Sequence, residues 1–392
     1  MLLLIALAHA PAFVGDSRIG PAPLNTAAEF VTALLIEDQA RNMFAFLFGY
    51  GVGQLAQRQH DLGGDWTSIR RLLRRRAFWL IVIGFAHAVL VVPFDFIAVY
   101  GLVLLVLAPL VRARNRVLWG TWILSLTLAV RLLVAQVRPV TAPLTAPGTT
   151  STLMEHTYAV HVVARIASWP VPTALSAITV APVMLLGIWA ARRRILDQPE
   201  RHASLLRHVT VIFLGVSVIL RLPAALLAAG EWTTTSNSLR WAVAIVHVLI
   251  AYAGGVGLAA ASGLVAIKIR RGRLATAMAA LGQRSMTFYL FQSLVWLVLF
   301  YPFTLDLHDG MSLAATSGIA IALWVASVLL ADGMRRAGHR GPAEVLLRRL
   351  SYWSPAWASG RDKSQDGLPG EARMPDAGCD RTSTRSTPTR LR

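Results

Sequence analysis

Cysteine is nearly absent: Cys379 is the only one in 392 residues, so the chain can form no intramolecular disulfide and build no cysteine-based metal site. Charge is scarce as well. Only 15% of residues are charged, against about a quarter in soluble domains, and 55% are hydrophobic. An ordinary soluble globular fold is excluded on that balance. Lysine occurs twice, at Lys268 and Lys363, so the net charge of +18 is almost wholly arginine. Such a charge could suggest nucleic acid, but the arginines fall in short blocks between apolar runs, the pattern of cytoplasmic membrane loops and not of a basic groove. No nucleic-acid partner is expected. Soluble-enzyme signatures are missing too: no Walker loop, no G-x-S-x-G, no H-E-x-x-H, no dinucleotide fingerprint. There is no internal repeat of about 20 to 50 residues, and no inverted pair of broken helices.

Long apolar runs are plentiful, and they predict an all-α, polytopic integral membrane protein of about ten transmembrane helices. Its organising stretch is RRLLRRRAFWLIVIGFAHAVLVVPFDFIAVY, from Arg70 to Tyr100. Five arginines in seven positions stop at Ala77, and the next sixteen residues hold one titratable side chain, His87. An arginine block stays on the cytoplasmic side while the apolar run travels outward. Pro93 and Asp95 then mark an outer turn.

The other spans take their direction from this one. They are expected at 40–56, 96–111, 117–137, 173–191, 209–229, 238–267, 285–303 and 314–330. The first, 1–14, is too short for a span of about 20 residues. A signal peptide would need a basic start, so 1–14 reads as the outer part of a helix that begins upstream. Residues 15–38 read as an acidic outer loop carrying Glu29, Glu37 and Asp38. A further segment, 156–169, reads as lying on the outer interface, with His161 and Arg165 one turn apart. Inner loops then hold nineteen Lys/Arg and outer loops only Arg18, Arg138 and Arg240. The chain divides into a transmembrane domain at 1–340, a juxtamembrane interfacial helix at 341–353 and a disordered cytoplasmic tail at 354–392. The protein is expected in a bacterial inner membrane, with its C-terminus cytoplasmic and lipids as its surroundings.

Ionisable residues within spans are costly, so they face a cavity or a partner. Here His9, Arg41, His87, Asp95, Arg131, His161, Arg165, Arg221 and His247 all fall toward the outer side. A histidine beside an aspartate can serve as a tuned base, although an intramembrane histidine can equally donate to a backbone carbonyl. Arg131, Arg165 and Arg221 can likewise be structural pairs or reach for headgroups. The span at 285–303 puts Ser285, Tyr289, Gln292 and Trp296 on one face, a stripe that suits interhelical hydrogen bonds.

Four segments, ARNMFAFLFGYGVGQLAQR, GFAHAVLVVPFDFIAVYGL, LGQRSMTFYLFQSLVWLVLFY and GPAEVLLRRLSYW, resemble in that order the signatures of the YeiB-like bacterial membrane proteins, the family called domain of unknown function 418 (DUF418). The resemblance spans 40–353. It implies a polytopic inner-membrane protein, similar in turn to the membrane acyltransferase superfamily, whose members move acyl groups from a cytoplasmic donor to an extracytoplasmic acceptor. That superfamily opens its first helix with Arg-Gly and carries His or Asn eleven positions later. His9 matches the polar residue, and its arginine would precede Met1. Either the start lies upstream or half the motif is lost. Arg76 and His87 have the same separation in another helix, which reads as coincidence.

The function expected is acyl transfer to a cell-envelope glycan or lipid. His9 or His87 would act as base and Asp95 would orient an imidazole. Arg41, Arg131, Arg221, Tyr289 and Gln292 would bind substrate. No metal or bound cofactor is expected, and acyl-CoA is the candidate donor. A transporter of a small envelope solute is the alternative, and a membrane scaffold the third reading.

Overall fold

A computed structural model describes residues 1–14, 19–139, 155–269 and 272–352. Arg18, most of the Thr/Pro-rich stretch at 139–152 and the tail expected at 354–392 lie outside them. The described residues are helical and contain no strand. Apolar runs of this length can satisfy their backbone inside lipid only as helices or closed barrels.

Helix α1 (Leu2–His9) runs into a 3-10 turn at Ala10–Phe13. Helix α2 (Ala22–Val31) follows and ends in a π turn at Thr32–Ile36. The expected outer loop therefore contains a helix. Prolines in its first turn suit a helix start, and its apolar side (Phe30, Ala33, Leu34) is covered by Val218, Ala225 and Ala228. Next come α3 (Gln39–Asp61) and α4 (Trp66–Leu90), the latter capped by Asp65, whose carboxylate accepts from Thr67 and Ser68 N–H. After the turn at 91–96, α5 (Ile97–Leu107) returns, followed by α6 (Asn115–Gln136), the interfacial-type α7 (Tyr158–Ser168) and α8 (Pro170–Arg192).

One continuous run, Ala203–Ala228, comprises α9 (Ala203–Val209), a π turn and α10 (Gly215–Ala228). It pairs with the long α11 (Asn237–Lys268). Before the expected span at 285 the chain forms an additional helix, α12 (Arg273–Gln283), which packs on α14 (Leu313–Arg336). Arg284 breaks the helix between α12 and α13 (Ser285–Phe300), and its guanidinium donates to the carbonyls of Ala280 and His339. The last described helix is α15 (Pro342–Tyr352).

Among the described residues, five helices are long and apolar enough to cross a membrane: α6, α8, the Ala203–Ala228 run, α11 and α14. The remaining expected spans are helical, but α1, α5 and α13 are short, and α4 opens on the arginine block. The helices alternate in direction. One end of the bundle gathers the arginine blocks and the other gathers His9, His87, Asp95, His161 and His247.

Close approach of α3 and α8 forms the centre of the core. A Cβ on Gly49 would run into the backbone of Met184, and one on Gly187 into that of Phe46, so the two helices touch backbone to backbone. Gly84 does the same for α4 against the start of α5. A second cluster, with Phe13 stacked on Trp296 at 4.8 Å, ties the end of α1 to α13 at the histidine end.

Candidate functional site

The turn at 91–96 brings the sequence-predicted residues together. Pro93 interrupts the helix, so α4 stops after Leu90 and the chain can re-enter as α5. Asp95 caps that re-entry: its carboxylate accepts from Ile97 N–H at 3.0 Å and Ala98 N–H at 2.8 Å. The positive end of a helix favours a carboxylate there. His87, one turn before the end of α4, places Nδ1 3.3 Å from Asp95 Oδ1, and the two side chains are 1% and 2% exposed. The two groups stand in contact without hydrogen-bond alignment, because the carboxylate is turned toward the α5 backbone.

Tyr289 on α13 pins the same turn. Its hydroxyl donates to Phe94 O at 2.6 Å and accepts from Phe96 N–H at 3.4 Å, and its ring lies 5.3 Å from the His87 ring. His9 approaches from α1, with its imidazole stacked on Phe94 at 5.5 Å and lying parallel to Phe96 at 6.3 Å. His9 is buried, and its Nε2, like both ring nitrogens of His87, makes no hydrogen bond to a described residue. Two imidazoles with unengaged nitrogens thus flank one short turn, a setting able to accept or pass a proton.

His9 also lines a cavity of about 310 Å³ together with Arg41, Glu37, Asp38, Thr32 and Phe96. Arg41 is paired with Asp38 at 2.9 Å, and Asp38 holds a left-handed backbone (φ 57°) that turns the chain into α3. Glu37 and Asp38 were read from sequence only as loop acidity. Their i, i+4 and i, i+3 spacing to Arg41 suits ion pairing at a helix start but does not by itself show that they bound a cavity.

A second cavity, of about 550 Å³, opens from the arginine-rich end. Arg76, Arg348 and the half-exposed Tyr352 lie at that end, Phe44, Phe48 and Leu80 line its length, and Ile97, Tyr100 and Tyr289 close it. The wall between the two cavities is thin: Phe96 of the first stacks on Tyr100 of the second at 6.3 Å. Tyr100 also donates through its hydroxyl to the backbone carbonyl of Arg41 at 3.3 Å.

The other predicted residues lie elsewhere. Arg131 is on the exposed face of α6 and lines neither cavity. Arg221 is fully buried, and its guanidinium donates to the carbonyls of Ala33, Leu34, Glu37 and His247 and to His247 Nε2 at 2.9 Å. It clamps the C-terminal end of the α2 segment, where unpaired carbonyls invite a cation. His247 is shared with Glu37 at 3.2 Å. Gln292 donates to Ser327 Oγ of α14 at 3.3 Å, an interhelical contact. Among the described residues no group of three or more His, Cys, Asp or Glu is placed to hold a metal.

Residues 190–354 match the family described as "Protein of unknown function (DUF418)". The chain is 27% identical over 330 residues to the uncharacterized protein YeiB of Escherichia coli (strain K12), covering 79% of this chain and 80% of that one. It is 24% identical over 357 residues to the uncharacterized protein YxaH of Bacillus subtilis (strain 168), covering 84% and 83%. No solved structure matches. The family match takes in Arg221, Tyr289 and Gln292, and the two relatives extend over most of the remaining chain, so the protein is similar to the YeiB-like DUF418 proteins along most of its length.

Proposed function

We propose that the protein transfers an acyl group from a donor at its arginine-rich end to a hydroxyl of a cell-envelope glycan or lipid at its histidine end. The observation that carries this reading is the pair of cavities whose linings meet where Phe96 stacks on Tyr100, with His9 in the smaller one and the buried His87–Asp95 pair next to Tyr289 of the larger. The positive-inside rule puts the arginine-rich end, and with it the C-terminus, in the cytoplasm of a bacterial inner membrane, where an acyl thioester such as acyl-CoA is available.

In this scheme the acceptor hydroxyl enters the smaller cavity, and an imidazole, His9 Nε2 or His87, takes its proton as the oxygen attacks the acyl carbonyl. A C–O bond forms, the C–S bond of the thioester breaks, and the departing thiolate takes the proton from the imidazolium. Asp95 holds the His87 ring, and Arg41 faces an anionic group on the acceptor. Phe96 must swing aside for donor and acceptor to meet.

The same thin wall also favours a second reading, a transporter in which Phe96 and Tyr100 form the gate. Membrane vesicles supplied with labelled acyl donors separate the two. Covalent label in an envelope product, reduced about 100-fold or more in His9→Gln or His87→Gln, supports transfer. Passage of an unmodified solute with no labelled product would establish the transporter instead.

A further inference from the structure

A third cavity, of about 470 Å³, lies apart from the two that carry the acyl-transfer reading. Helices α6, α8 and α11 and the start of the Ala203–Ala228 run enclose it. No charged side chain lines it, and its one phenol, Tyr252, already donates to the carbonyl of Thr179 at 2.6 Å. By the direction of the spans it occupies the inner half of the bundle, since it touches α6 only from Trp119 to Leu126, α8 from Pro182 to Ala190 and α11 from Tyr252 to Ala260. The stretch of α11 measures about 12 Å along the helix axis, close to one leaflet's share of a hydrocarbon layer about 30 Å thick. Helix α6 packs on α8 and α11, and the 203–214 stretch packs on α11, but these two walls form no extensive interface with each other. Trp119 on one wall and Leu205 and Phe213 on the other line the cavity and are also exposed. Apolar voids of this kind stay dry, so a crevice open toward the bilayer takes up the hydrocarbon it faces.

Charge at the inner end selects the lipid. Trp119 meets Trp122 and Trp189 at 5.4 and 5.6 Å, an indole cluster of the kind that sits at headgroup level. Arg116 lies one turn before Trp119, and the Arg193 guanidinium covers the Trp189 ring at 5.3 Å. Both arginines are exposed, and neither pairs with a described carboxylate. Their neighbours are occupied: Arg192 donates to the carbonyls of Leu110 and Val111, Arg194 faces Asp61 at 3.6 Å, and Asp197 accepts from Gln54. Two unneutralised guanidinium groups thus stand at the mouth of an apolar crevice one leaflet deep, which matches a lipid with a negative headgroup. We propose that this crevice is a site for one anionic phospholipid of the inner leaflet. An acyl chain fills the cavity, and Arg116 and Arg193 hold the phosphate. The chain supplies the contact that α6 and the 203–214 stretch do not make with each other. It also backs Phe46, which lines the cavity and touches Gly187 where α3 meets α8.

The test is native mass spectrometry of the full chain in detergent, titrated with phosphatidylglycerol or with phosphatidylcholine carrying the same acyl chains. The wild type should hold one phosphatidylglycerol about 25-fold more tightly than phosphatidylcholine, and Arg116→Gln and Arg193→Gln should each cut that preference about fivefold. Arg131→Gln, the same change of charge on the outer half of α6, should leave it unchanged. Ala253→Phe, which fills the crevice from α11, should abolish tight binding of either lipid. Its melting temperature without lipid shows whether it is folded, and Val256→Trp fills the same space if it is not. Equal retention of the two lipids by the wild type overturns the proposal, as does retention unchanged in every variant, which would mark a lipid bound elsewhere. Loss in the filling variant without any effect of the arginines, or the reverse, overturns it too, because chain and phosphate would then not share one site. A lipid-free dimer broken by Ala253→Phe would make the crevice an interface between two copies of the chain instead. None of these readouts involves an acyl product, so they stand or fall apart from acyl transfer.

Discussion

Asp95 has two tasks that substitutions can separate. Its carboxylate caps α5 and stands beside His87. Asparagine keeps one of the two capping acceptors and removes the charge, so Asp95→Asn should still fold while losing product. Asp95→Ala should also lower the unfolding free energy by about 1–2 kcal/mol, measured by thermal or denaturant unfolding in detergent. Equal stability of the two variants would show that the cap contributes nothing. His161 offers a separate readout on α7. Burial, with Arg165 next to it, pushes its imidazole down to about 4, and its ring packs against Tyr301 at 5.2 Å. A histidine with a lowered pKa in the fold binds its proton more readily when unfolded. Its contribution to stability is therefore complete above about pH 6.5 and is lost as pH falls toward 4. His161→Phe should flatten the decline of the melting temperature between pH 7 and pH 5, and an unchanged slope would remove His161 from the acid response.

At the scale of elements, small residues set the spacing and arginines secure the ends. Gly49 and Gly187 let α3 and α8 meet at their backbones, whereas Gly120 on α6 faces open space. Gly49→Ala or Gly187→Ala should each cost about 1–3 kcal/mol from overpacking, more if the helices cannot separate. Gly120→Ala should be neutral or stabilise by up to about 1 kcal/mol, since alanine is the better helix former. Thermal unfolding of the three variants in one detergent checks the order. The arginine blocks do more than orient spans. Arg192 donates to the carbonyls of Leu110, Val111 and Ala113, closing the end of α5 against α8, as Arg221 closes the end of the α2 segment at the other end of the bundle. A cation at a helix C-terminus satisfies carbonyls that the helix leaves open.

For the whole molecule, the decisive asymmetry is charge: nineteen Lys/Arg between spans on one side against four, Arg18, Arg138, Arg165 and Arg240, on the other. Reporter fusions should read the loop after Gly310 as extracytoplasmic and the chain after Arg392 as cytoplasmic. The reverse pattern would place the histidine end in the cytoplasm and leave the larger cavity without access to a cytoplasmic donor.

What the sequence determined by itself is the class of molecule and the identity of its costly residues. Arginine blocks bounding apolar runs predict membrane helices because lipid penalises charge and unpaired backbone alike, and that penalty acts on each residue locally. Pro93 and Asp95 gave away the turn, and with it the His87–Asp95 neighbourhood, because both residues act within a few positions of themselves. Helix α2 is hidden because Gly15, Gly20, Pro21 and Pro23 in and before its first turn read as a loop, and only the cover supplied by α10 and α14 makes its apolar side useful. The functions of the arginines were equally out of reach: Arg131, Arg221 and Arg41 look alike as intramembrane cations. Their separation into an exposed residue, a carbonyl clamp and a cavity wall depends on partners 180 or more positions away for Arg221, and for Arg41 on the meeting of α1 with the turn at 91–96. Cavities are enclosed by several helices at once, so the two that flank Phe96 and Tyr100 exist only at the tertiary level, where packing brings distant segments to one wall.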